Sequence, residues 1–138
     1  MRVLILCTGN SCRSQMAEGF LKDWYPDWEV FSAGTNPSTN IHPKAITVME
    51  EVNIDISNGY PKDVEIFTRQ SFDYVLTVCD NAKETCPVFS GNVKNIVHIG
   101  FEDPAEATGT LEEIWKVFRK VRDEIYIKLD EYFGGLKI

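Results

Sequence analysis

Eight consecutive residues, Cys7-Thr8-Gly9-Asn10-Ser11-Cys12-Arg13-Ser14, bring together a thiol, a guanidinium and a run of small or turn-forming residues. That combination suits oxyanion chemistry. A loop leading into a helix turns successive backbone N–H groups inward, and the helix dipole adds positive potential at the same point. Gly9 lets the backbone turn tightly. The planar fork of Arg13 can clamp two oxygens of a tetrahedral anion. The same field is expected to lower the pKa of Cys7 and give a thiolate nucleophile at neutral pH, with Ser14 placed to donate a hydrogen bond to it. The expected oxyanion-binding residues are Thr8, Gly9, Asn10, Ser11, Cys12, Arg13 and Ser14. A bare Cys-x5-Arg spacing also fits a core cysteine beside a surface arginine; the strand before, the helix after and Gly-Asn-Ser within favour the nest.

Three more residues could share that chemistry. Breaking a bond to an oxyanion oxygen needs a proton on the departing oxygen, and Asp103, before Pro104, can carry one on a loop. Asp-Pro is also ordinary turn chemistry, so the reading leans on Cys7. The polar residues Asp80, Asn81, Lys83, Glu84 and Thr85 lie between Cys79 and Cys86. Two thiols in a polar, exposed segment near a reactive thiolate suggest disulfide exchange, against the alternative of two buried apolar thiols. Cys12 either traps Cys7 in an off-pathway disulfide or fills space behind the loop, and the second is favoured. Zinc is disfavoured: there is no Cys-x-x-Cys pair, and the only histidines are His42 and His98. His42 reads as a helix-start residue.

Alternating strands and helices must position these groups. Strands are expected at Arg2–Leu6, Trp28–Ser32, Asp73–Val78 and Asn95–Ile99. Helices are expected at Ser14–Tyr25, from Pro43 to about Val52, more weakly over Pro61–Arg69, and in a long stretch opened by a Thr110/Glu113 capping box and stopped at Gly134-Gly135. This pattern predicts a single α/β domain over residues 1–138, a parallel sheet covered on both faces. Ligands in such sheets bind at the carboxyl ends of the strands. Cys7, Cys79 and Gly100–Pro104 all fall just past strand ends.

The bulk properties make a cytoplasmic protein the default expectation. The chain has 138 residues, 43% hydrophobic and 25% charged, which are values of a globular domain. No apolar run approaches the ~20 residues of a membrane span, and the N-terminal apolar stretch is too short for a signal peptide. A net charge of −7 argues against nucleic acid or an anionic membrane as partner. Four cysteines in a reducing compartment point to redox or metal chemistry before structural disulfides.

The Cys7 loop, with Ser14-Gln15-Met16-Ala17-Glu18-Gly19 after it, resembles the low-molecular-weight tyrosine phosphatases and, more closely, the thioredoxin-coupled arsenate reductases on the same fold. Ser32-Ala33-Gly34, His42-Pro43-Lys44-Ala45, Asp55-Ile56-Ser57, the stretch from Thr77 to Pro87, and Gly100-Phe101-Glu102-Asp103-Pro104-Ala105 extend the resemblance over essentially the whole chain. It implies a four-stranded parallel sheet flanked by helices. It also implies Cys7 as nucleophile, Arg13 as anion clamp, Asp103 as general acid, and Cys79 and Cys86 as a disulfide relay recycled by thioredoxin. No organic cofactor is implied. Some family members hold a potassium ion, which would lie near Asn10, Glu18 and Ser32; either Lys62 or Asp63 takes the remaining position, and the Lys62 ammonium could replace the ion. Phosphatases of this type usually follow Asp-Pro with tyrosines, whereas Ala105-Glu106-Ala107 follows here. The alternatives left open are a phosphatase of phosphate monoesters, a phosphocysteine carrier domain and a non-catalytic anion sensor.

Overall fold

The unbroken apolar run Val3-Leu4-Ile5-Leu6 has no polar side to show to water, so it forms a strand covered on both faces. This strand, β1 (Arg2–Cys7), lies inside a four-stranded sheet with β2 (Glu29–Gly34), β3 (Phe72–Thr77) and β4 (Val93–His98). The order is β2-β1-β3-β4 and every pairing is parallel. The structure is a computed structural model that describes residues 1–80, 84, 89 and 91–134.

Among the described residues three α-helices flank the sheet: α1 (Arg13–Trp24), α2 (Pro43–Glu50) and α3 (Leu111–Phe133). One core joins Met16, Phe20 and Leu21 of α1 to Phe118, Val121, Ile125, Leu129 and Phe133 of α3, against Val3 and Ile5 of the sheet. The α3 residues recur at three- and four-residue spacing, which makes one buried stripe. The Thr110/Glu113 capping box is present, with the Glu113 amide donating to Thr110 Oγ1 at 3.1 Å. His42 caps α2: its Nδ1 accepts from the Lys44 amide at 3.1 Å, with Pro43 in the first turn.

The opposite face of the sheet departs from expectation. A second, smaller core of Leu4, Leu6, Ala33, Phe67, Phe72, Val75 and Phe89 covers it, without a full helix among the described residues. The expected helix over Pro61–Arg69 shrinks to a single 3-10 turn, Val64–Phe67. Asp63 caps that turn through the Glu65 amide, but only Phe67 is fully buried, Val64 is half-buried and Ile66 is exposed, which is too little apolar contact to hold a longer helix on a surface. Gly134 at the end of α3 has φ −58°, so the chain does not turn left-handed there.

What the sheet positions is its carboxyl edge. Cys7 at the end of β1 pairs with Gly34 at the end of β2, and Leu6 pairs with Thr77 at the end of β3. The Val78 amide donates to Leu6 O at 3.0 Å, which carries Cys79 out on that same edge. The order of strand connection, not the strand direction, reverses between β1 and β3, the switch point where parallel sheets open a crevice.

Two substitutions separate packing from capping. Ile125→Ala should destabilise the fold by about 2–5 kcal/mol through the buried volume it removes. Thr110→Ala should cost only about 1 kcal/mol through the lost cap. Urea denaturation measures both, and equal losses would contradict the assignment of α3 as held by its buried stripe.

Candidate active site

An anion nest turns N–H groups inward, so its carbonyls must face out and find donors. The loop between β1 and α1 does this residue by residue. Thr8 O accepts from the Asn36 amide at 3.0 Å, Gly9 O from the Ser38 amide at 2.8 Å, and Ser11 O from the His42 amide at 3.0 Å. Asn10 O accepts from Gln15 Nε2 at 3.1 Å. Cys12 O accepts from the Met16 amide at 2.9 Å, the first turn of α1. The strap of residues 36–42 thus holds the loop from outside. Gly34 permits the approach: a Cβ there would stand 2.3 Å from Thr8 O.

Asn10 organises the interior. It is buried and adopts φ +52°, a left-handed conformation that asparagine tolerates better than most residues. Its amide donates to Cys7 Sγ at 3.1 Å. Its side-chain Nδ2 donates to Ser14 Oγ at 2.7 Å, and its Oδ1 accepts from the Lys62 amide at 2.9 Å. With an oxygen lone pair of Ser14 taken by Asn10, the Ser14 hydroxyl is free to donate to Cys7 Sγ, 2.9 Å away. Helix α1 has no side-chain cap at Cys12 and no acidic residue in its first turn. An uncapped, acid-free N-terminus keeps its amides and dipole available to an anion.

Arg13 lies across the pocket mouth, its side chain 4% exposed. Its Nη1 donates to Phe101 O at 3.1 Å. The guanidinium also grips the Glu84 carboxylate with both arms: Nη1 with Oε1, and Nη2 with Oε2 at 3.3 Å. Asp103 Oδ2 stands 3.7 Å from Arg13 Nη2, and its other oxygen accepts from the Ala105 amide at 3.0 Å. Cys7, Arg13, Glu84, Asp103 and Glu106 line one pocket with the loop. The residues singled out in the sequence from Cys7 to Ser14 and Asp103 therefore meet in space. Cys79 follows on the same sheet edge. It is buried rather than exposed and is disulfide-bonded, whereas Cys7 and Cys12 carry free thiols. Cys86 lies outside the described residues.

The charge state of Cys7 differs from expectation. Burial pushes its thiol up from the ordinary value, against the Ser14 hydroxyl, the Arg13 charge and the Asn10 amide, which lower it. In this state Arg13, which was to supply positive field, faces two carboxylates. Burial also pushes the Cys12 thiol up to about 12, as suits a space-filling residue behind the loop.

Of the residues considered for a monovalent cation, Asn10 and Glu18 have other partners. Asn10 Oδ1 serves the Lys62 amide, and Glu18 accepts from Lys22 Nζ at 3.1 Å. Ser32 Oγ is buried with no hydrogen-bond partner found. Burial lowers the Lys62 pKa, and the Glu18 charge opposes that, so an ammonium already shares the field of Glu18. Among the described residues, no group of three or more His, Cys, Asp or Glu could hold a metal ion. No described helix is long and apolar enough to cross a membrane.

Residues 2–137 match the low molecular weight phosphotyrosine protein phosphatase family. The chain belongs to this family. Within it, the chain is 47% identical over 131 residues to an arsenate reductase of Shouchella clausii, covering 94% of this chain and 93% of that one. A solved structure of an arsenate reductase in the phosphate-binding state superposes with a TM-score of 0.80 at 32% identity, covering 97% of each chain. A thioredoxin-dependent arsenate reductase of Corynebacterium glutamicum superposes with a TM-score of 0.56 at 26% identity, covering 95% of this chain and 62% of that one.

Sequence reasoning missed Glu84, Gln15, Gly34 and the strap amides as parts of the site. The Ser14 contact gives a direct check. Ser14→Ala removes a donor that favours the thiolate, so the Cys7 pKa should rise further. Iodoacetamide alkylation against pH, in a Cys12/Cys79/Cys86→Ser background, reads that midpoint. An unchanged midpoint would mean that Ser14 does not serve the thiolate.

Proposed function

We propose that the chain is a cytoplasmic, thioredoxin-coupled arsenate reductase acting as one domain over residues 1–138. The observation that carries this reading is the pairing of an oxyanion nest around Cys7 with a second, disulfide-bonded cysteine, Cys79, on the same sheet edge. The 47% identity to an arsenate reductase over nearly the full chain supports it.

In this reading arsenate sits on the amides of the loop from Thr8 to Ser14, with two oxygens on the Arg13 fork. The Cys7 thiolate attacks arsenic while Asp103 protonates the departing oxygen, which leaves as water. Cys79, as a thiolate, attacks the Cys7 sulfur. The sulfur–arsenic bond breaks and its electron pair stays on arsenic, reducing arsenic(V) to arsenic(III). Arsenite leaves and a Cys7–Cys79 disulfide remains. Cys86 then attacks Cys79, frees Cys7 and leaves a Cys79–Cys86 disulfide for an external dithiol, thioredoxin, to reduce. No step uses a cofactor or a bound cation.

The nest also fits phosphate, so slow hydrolysis of small phosphate monoesters is a second reading. Phosphotyrosine is disfavoured because Ala105 and Glu106 line the pocket after Asp103-Pro104, where an aryl ring would need apolar walls.

Cys7→Ser and Arg13→Ala should abolish both arsenate reduction and phosphate ester hydrolysis. A steady-state assay of either variant at normal turnover would remove these two residues from the site.

Cys79→Ser and Cys86→Ser should stop arsenate turnover in a thioredoxin, thioredoxin reductase and NADPH assay, yet spare hydrolysis of a small aryl phosphate. Continued arsenate turnover by both variants would place the chain with the phosphatases.

A further inference from the structure

The pocket holds one guanidinium and, within its reach, two carboxylates. Asp103 has its place in the proposed reaction; Glu84 has none. The grip of Arg13 on Glu84 uses both oxygens of the carboxylate and both arms of the fork. That is the planar two-point arrangement that a bound oxyanion would require of the same arginine. The two occupants are mutually exclusive. A dianion entering beside Glu84 and Asp103 would also meet two like charges in a poorly solvated pocket.

Glu84 is tied to the redox cysteine by short, described contacts. Its Oε1 accepts from the Asp80 amide at 2.8 Å, and its own amide donates to Asp80 O at 2.9 Å. Asp80 directly follows the disulfide-bonded Cys79. Burial works against the Glu84 carboxylate, but Arg13 and the Asp80 amide outweigh it and hold the group below its ordinary range. Glu84 thus enters the pocket as an anion.

We propose that Glu84 is a built-in competitor of the substrate, which occupies Arg13 while Cys79 is disulfide-bonded and keeps oxyanions out of the Cys7 loop until the disulfide is reduced. The redox link rests on the relay reading of Cys79: substrate must hold Arg13 when Cys79 is a thiol, so Glu84 must have left by then. The contact serves the order of the cycle. With the relay oxidised, a freed Cys7 that captured a second arsenate would form an adduct with no thiol ready to resolve it.

The test is phosphate affinity in both redox states. Isothermal titration with inorganic phosphate should show wild-type protein with the Cys79 disulfide binding about tenfold or more weakly than the reduced protein. In Glu84→Gln, whose fold is checked by circular dichroism, the oxidised form should bind within about twofold of the reduced form. Equal affinities of the two wild-type forms, or a redox gap that persists in Glu84→Gln, would overturn the proposal. A second measurement needs no variant. Alkylation of Cys7 by anionic iodoacetate, relative to neutral iodoacetamide, should fall when the wild-type protein is oxidised; an unchanged ratio counts against Glu84. Neither readout involves arsenate turnover, so failure of the reductase reading shows separately, in the NADPH assay.

Discussion

Five consecutive carbonyls of the Cys7 loop must face away from its centre, because a peptide that turns its N–H inward turns its oxygen outward. Each of the five has a donor: three amides of the 36–42 strap, the Gln15 side chain, and the Met16 amide of α1. A buried carbonyl left without a partner costs about 1–3 kcal/mol, so an unsupported loop would not keep this shape. The site therefore depends on backbone far from it in sequence. The strap has to pass where β2 ends, and Gly34 leaves room for Thr8 there. Asn10 closes the arrangement from within by linking Cys7, Ser14 and Lys62.

Electrostatics then decides what the loop does. The uncapped end of α1 and the Arg13 fork supply positive potential, and nothing acidic on α1's first turn cancels it. The opposing groups, Glu84 and Asp103, come from the segments after β3 and β4. Burial raises the pKa of the Cys7 thiol in this state against the Ser14 hydroxyl and the Arg13 charge, while Glu84 and Asp103 face that same guanidinium. Their reach to Arg13 makes the state of the Cys79 segment a direct influence on anion binding, since Glu84 is joined to Asp80, the neighbour of Cys79, through two hydrogen bonds.

The nucleophile loop was legible because its chemistry is consecutive in the chain: Cys7, Gly9, Asn10, Arg13 and Ser14 stand within eight residues between a strand and a helix. The four strands and three helices were legible for a related reason, since their apolar periodicities are local. The supports of the loop were not, because Asn36, Ser38, His42 and Lys62 act through backbone amides that any non-proline residue supplies. Glu84 read as a polar spacer because nothing in the chain around it signals a partner; its ion pair with Arg13, 71 residues away, is set by the fold. The helix expected over Pro61–Arg69 failed because Pro61 and Asp63 mark a start, while only Phe67 and, in part, Val64 anchor the residues after them. Cys86 lies outside the described residues, and its relay reading rests on the polar segment between it and Cys79 and on the family resemblance.

A single-turnover experiment tests the central claim, that an oxyanion bound at Cys7 is reduced by electrons from a second cysteine of the same chain. Fully reduced protein is mixed with excess arsenate and no external reductant, arsenite is counted, and the cysteines are mapped by mass spectrometry. The account predicts about one arsenite per protein, the stoichiometry of one dithiol, together with a Cys79–Cys86 disulfide and a free Cys7 thiol. Arsenite absent with all four thiols intact, or arsenite formed while Cys79 remains a thiol, would contradict it.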